Sequence, residues 1–146
     1  MGFLHSIRLG GALCLTAVTV GGCASSELAQ GPPAGTQCVD DSAHCIGTRQ
    51  AALKSMMDDK GRGWIRQPAD ARTHASGVRL FAFRGKRKEL TCDELGIGKR
   101  EADSAPGILR GPGGGGLTPA QVSRGAMLAV EVSRELGAEM TRRCRR

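Results

Sequence analysis

ADARTHASGVRLFAFR, residues 69–84, admits two readings, and the choice between them sets the fold class. Val78, Leu80 and Ala82 alternate with Arg79, Phe81 and Phe83, but both sets are largely apolar, as in a strand buried on both faces. The chain holds no second strand-like run to pair with it, and a lone strand leaves its backbone N–H and C=O groups unsatisfied. The stretch is therefore predicted to be a helix, and the chain all-α.

The rest of the chain agrees. Asp40–Lys60 is predicted as a first helix: Asp40, Asp41 and Ser42 offer capping oxygens, and Cys45, Arg49, Ala52, Leu53, Met56 and Met57 recur at helical spacing before Gly61. Asp58-Asp59-Lys60-Gly61 lacks the alternating acidic ligands of a calcium loop and reads as a solvated turn. Trp64 and Ile65 suit the edge of a core. Thr91 and Glu94 form a capping box that starts a third helix, Cys92 to about Ser104, ending before Pro106 because a residue preceding proline is biased away from helix. Thr118-Pro119-Ala120-Gln121 starts a fourth, to about Arg143, with Val122, Ala126, Ala129, Ser133, Leu136 and Met140 inward. Between them, Gly107–Gly116 is glycine-rich but lacks the Gly-Lys-Ser/Thr ending of a phosphate loop, and no strand precedes it. The expectation is a small bundle of about four helices.

The amino-terminal region has a different character. Met1–Arg8 is weakly positive, Leu9–Val20 is an uncharged run of 12 residues, and Gly21-Gly22 precedes Cys23. That layout is a secretory signal, too short for a bilayer span of about 20 residues. Val20-Gly21-Gly22-Cys23 resembles the lipobox of bacterial lipoproteins: an aliphatic residue, two small residues, then cysteine. The resemblance implies that the Cys23 thiol is acylated by diacylglycerol, that cleavage frees its amino group for a third acyl chain, and that the mature protein is membrane-anchored. Ala24, where enteric inner-membrane lipoproteins carry Asp, points to the periplasmic face of the outer membrane. The organisation expected is a signal peptide over 1–22, a lipidated amino terminus and flexible tether over 23–37, and a helical domain over 38–146. The tether, polar and interrupted by Gly31-Pro32-Pro33, would reach at most roughly 45–50 Å.

Removing residues 1–22 takes one basic side chain and no acidic one, leaving 20 Lys and Arg against 14 Asp and Glu, a formal charge of +6. Phe81, Phe83 and Trp64 are the mature aromatics, too few for a base-stacking surface, which argues against nucleic acid as a partner. The basic groups Lys86, Arg87, Lys88, Arg142, Arg143, Arg145 and Arg146 are instead candidates for contact with anionic lipid head groups, lipopolysaccharide or an envelope protein.

With Cys14 in the discarded run and Cys23 as the lipid site, Cys38, Cys45, Cys92 and Cys144 remain. An even number in an oxidising compartment reads as two disulfides with three possible connectivities. No pair has the two-to-four-residue spacing of a zinc knuckle. In one regular helix Cys38 and Cys45 would lie about 10.5 Å apart, beyond the roughly 7 Å a disulfide spans, and could join only if Cys38 folds back. The favoured pairing is Cys45–Cys92 with Cys38–Cys144.

Catalytic chemistry has little to stand on. His44 and His74 fit no metal-helix pattern, and no nucleophile motif is present. Glu89, Glu94, Glu101 and Glu135 are carboxylates any soluble domain carries. No metal and no cofactor is expected. The function expected is a lipid-anchored interaction or assembly accessory of the cell envelope. The alternatives are a cell-wall-acting enzyme and a binder of lipid or a small ligand in the bundle interior.

Overall fold

Capping chemistry places each helix start. The structure, a computed structural model, describes residues 34–144; the signal, the lipobox with Cys23, Arg145 and Arg146 lie outside them. α1 spans Ala43–Asp58, and the hydroxyl of Ser42 accepts the N–H of Cys45 at 3.2 Å. The Asp59 carboxylate closes its far end, accepting the N–H groups of Gly61 and Gly63, so this acidic turn serves the backbone. A 3₁₀ turn, Gly63–Arg66, then buries Trp64 and Ile65.

The deciding stretch is helical, but as two helices, α2 (Ala71–Ser76) and α3 (Val78–Lys86), and not the single helix expected. The break is Gly77, at φ 73°. That left-handed conformation ends α2 and serves as the cap of α3, and glycine adopts it without a Cβ penalty. With the break, the helix count rises from about four to five.

α4 opens on the predicted capping box: Glu94 N–H to Thr91 Oγ1 at 3.2 Å, Thr91 N–H to Glu94 Oε2 at 2.8 Å. It does not stop before Pro106 but continues to Arg110. An internal proline costs a helix about 3 kcal/mol. Here the turns around it bury Ala105 and Leu109 against the longest helix of the fold, and burial of that kind recovers a cost of this size. α5, Pro119–Arg143, starts on its own capping box and puts Ala126, Ala129, Val132 and Leu136 in the core. Val132, rather than its neighbour Ser133, takes the innermost position.

α4 and α5 lie antiparallel, and their pairing dominates the fold. Phe83 from α3 drives into this pair, where a Cβ on Gly98 would fall 2.5 Å from its ring. Trp64 meets the same ring edge-on, centroids 4.8 Å apart. Leu80, Leu90, Leu95, Val132 and Leu136 complete a filled interior.

The disulfides are Cys38–Cys45 and Cys92–Cys144, with Cα separations of 5.4 and 5.8 Å. This overturns the favoured pairing, Cys45–Cys92 with Cys38–Cys144. The reason is geometric: α1 begins only at Ala43, so residues 38–42 double back outside it and the rise along a helix does not separate the pair. Antiparallel α4 and α5 likewise bring Cys92, at one helix start, to Cys144, at the other helix end. On the chain-entropy view the short loop contributes about 2.5 kcal/mol and the long one about 4 kcal/mol.

The folded region also begins earlier than residue 38. Ala34–Gln37 forms a 3₁₀ turn with Gly35 and Thr36 buried. Gln37 donates to Asp70 and Thr73, and Arg72 donates to the Gln37 carbonyl. The last four residues assigned to the tether are thus a strap fastened to α1 and α2. Among the described residues no helix is long and apolar enough to cross a membrane.

Candidate functional site

The predicted basic residues within the described region do meet. Arg143 reaches from the end of α5 to the turn after α3, donating to the carbonyls of Arg87, Lys88 and Leu90 at 3.2, 2.8 and 2.8 Å. The price of that geometry is charge. Arg142 and Arg143 both engage Glu139, Lys86 is buried against Glu89, and Arg87 lies 3.7 Å from Glu135. The Arg142 contact holds the Glu139 carboxyl below its usual range. Lys88 alone of the described group is exposed and outside any ion pair. These side chains first supply carbonyl capping and internal neutralisation at the Cys92–Cys144 end.

The titratable groups are dispersed. His44 is exposed on the first turn of α1. His74 is buried in α2, and neither ring nitrogen finds a hydrogen-bond partner. Burial, reinforced by the Arg79 charge, drives its pKa down to about 4 against a weaker opposing pull from Asp70. Glu101 pairs with Arg79 inside the fold, and there burial pushes its carboxyl up more strongly than Arg79 draws it down. Glu94 is held low by Thr91 and Arg62, despite partial burial. Among the described residues no three His, Cys, Asp or Glu side chains come together in a way that could hold a metal ion.

Three apolar side chains stand exposed where no sequence motif marks them. Phe81 on α3 is 44% exposed, and Met127 and Val130 on α5 are 66% and 52% exposed. They line two grooves along the first half of α5. On the α3 side, a groove of about 250 Å³ is lined by Phe81, Leu128, Val39, Arg49 and Arg124. On the α4 side, Met127, Val130, Ala126 and Pro106 border one of about 350 Å³, rimmed by Arg110. α5 thus buries one face in the core and still presents methionine and valine outward. The signal was available: Met127 and Val130 fall off the inward face that the predicted spacing defines, where an amphipathic helix normally carries polar residues.

No protein-family model matches the chain, and no solved structure matches it. Among curated proteins it is similar to the metalloproteinase inhibitor of Streptomyces nigrescens, with 31% identity over 83 residues. The match covers 57% of this chain and 63% of the inhibitor, so the chain spans less than two thirds of that relative's length. The relative is named for inhibiting an enzyme, not for being one.

Proposed function

We propose that this protein is a lipid-anchored, non-catalytic component of a bacterial cell envelope that works by binding another envelope protein. The observation that carries this reading is the exposed apolar pair on α5, Met127 and Val130, which border one groove while Phe81 borders a second on the other side of the helix. Large apolar side chains exposed at the mouth of a groove are the kind of surface that a protein partner covers. The filled interior favours a surface partner over a lipid held among the helices. Two disulfides suit an oxidising compartment, and the lipobox-like Val20–Cys23 supplies the anchor. The test is photocrosslinking from intact cells with a photoreactive residue at Met127, followed by mass spectrometry. One defined envelope protein should be captured, and Phe81→Glu or Val130→Glu should abolish capture with the helical signal intact. Uniform labelling with no enriched protein, or an amino terminus without acyl mass at Cys23, would overturn the reading.

The similarity to a metalloproteinase inhibitor favours a second reading in which the bound protein is a proteinase. Titration of the purified domain against a panel of zinc proteinases tests it directly. Stoichiometric loss of proteolysis supports it, and unchanged proteolysis at large excess removes it.

A further inference from the structure

We propose that Cys38–Cys45 is an exchangeable disulfide, opened by a dithiol that attacks Cys38 while Cys45 departs as a thiolate held by Arg49. The two sulfurs are not equivalent. Cys45 is buried, whereas Cys38 is partly exposed on the strap. An incoming thiolate therefore meets the sulfur of Cys38, and the electrons of the broken S–S bond go to Cys45. Thiol–disulfide exchange is faster when the leaving sulfur forms a stable thiolate.

Two features stabilise that thiolate against the cost of burying it. Arg49 Nη1 lies 3.5 Å from the Cys45 sulfur. Arg49 sits four residues after Cys45 on the same helix, so the contact is set by α1 itself and outlasts the disulfide. Cys45 also occupies the third position of a 16-residue helix, at its positive end. Helix starts and neighbouring arginines are among the settings that lower a thiol from its ordinary value of about 8.5. Asp41 competes weakly for Arg49 at 3.7 Å, and it is drawn off by Arg124, which takes both its oxygens at 3.0 Å.

Arg49 also keeps the opened site assembled. It donates to the carbonyls of Cys38 at 3.3 Å and Asp40 at 2.6 Å. Gln121 holds the Val39 carbonyl at 3.0 Å. Cys38 thus stays beside Cys45, ready to reclose.

The exchange balances. The first thiolate of the dithiol bonds to Cys38 sulfur, and Cys45 leaves as the anion. The dithiol's second thiolate then attacks its own sulfur in the mixed disulfide and expels the Cys38 thiolate, which takes a proton from water. Two electrons pass from the dithiol, now a disulfide, to the cysteine pair.

Cys92–Cys144 lacks this arrangement. Cys92 is its more exposed partner, and attack at that sulfur expels Cys144 at the negative end of α5. Among the described residues no guanidinium or ammonium group hydrogen-bonds to either sulfur.

The experiment is timed reduction of the oxidised mature protein with dithiothreitol at pH 7, quenched by alkylation and read by peptide mass mapping. Cys38 and Cys45 should be alkylated about ten-fold sooner than Cys92 and Cys144. Arg49→Ala should slow opening of Cys38–Cys45 several-fold without changing the rate at Cys92–Cys144, and Arg49→Lys should restore part of it. A purely structural Arg49 predicts the opposite sign, since loosening the strap would speed opening. Faster opening in Arg49→Ala, no change in it, or prior or simultaneous opening of Cys92–Cys144 would each overturn the proposal.

Discussion

Arg79 and Glu101 form an ion pair closed off from solvent at the junction of α3, α4 and the Trp64 turn. The guanidinium also donates to the Gln67 carbonyl at 2.7 Å and reaches that of Ile65 at 3.5 Å. One side chain therefore registers three elements. Removing one partner leaves an uncompensated buried charge, which typically costs about 3–5 kcal/mol. Arg79→Leu should lower stability by that amount in urea denaturation. Glu101→Gln, which keeps an acceptor for Arg79, should cost less. Equal small losses for both would mean that the pair does not organise this junction.

His74 makes stability depend on pH. Its folded pKa is about 4, while the unfolded chain titrates near 6.5. Between these values the unfolded state binds the extra proton, so stability is full above about pH 6.5 and falls as pH drops toward 4. The loss attributable to His74 by pH 4.5 should be about 2.5 kcal/mol. His74→Leu should flatten that part of the profile relative to the wild type in urea midpoints measured from pH 7 to 4.5. Parallel profiles would contradict it.

Two glycines of α4 should respond oppositely to alanine. A Cβ on Gly98 meets the Phe83 ring at 2.5 Å, whereas one on Gly107 meets nothing within 4 Å. Gly98→Ala should destabilise by about 1–3 kcal/mol through overpacking. Gly107→Ala should stabilise by about 0.5–1 kcal/mol through reduced freedom of the unfolded chain. Thermal melts of the pair provide the check.

The disulfides should differ in worth. Replacing Cys92 and Cys144 with serine frees a loop across 52 residues, against 7 for Cys38 and Cys45. The first double variant should lose about 1.5 kcal/mol more than the second, measured as the difference in unfolding free energy.

Helix starts were legible in the chain because capping is local: Thr91 with Glu94 and Thr118 with Gln121 act where the sequence places them. The helical nature of residues 69–84 followed from the lack of a partner strand. What escaped notice depends on tertiary context. Gly77 falls inside the single helix expected over 69–84, and its left-handed conformation, with Leu128 2.8 Å from where a Cβ would stand, exists only in the packed fold. Pro106 predicts a stop from local bias alone, whereas the burial of Leu109 that offsets it comes from α5. The disulfide pairing turned on where α1 begins, a matter of a few residues. The four cysteines were recognised as a set, while their partners were not. His74 and Glu101 were named as titratable residues, but burial and the company of Arg79 lie in three dimensions.

The length of α5 has a consequence for orientation. The strap is fastened beside its first turns, where Gln121 holds Val39 and Arg124 holds Asp41. The basic residues gather at its last turn, around Arg143. From Gln121 to Arg143 a helix advances about 33 Å. The molecule therefore has a root and a tip. The strap and the Lys88–Arg143 end are separated by the length of α5, so a partner that covers one leaves the other open.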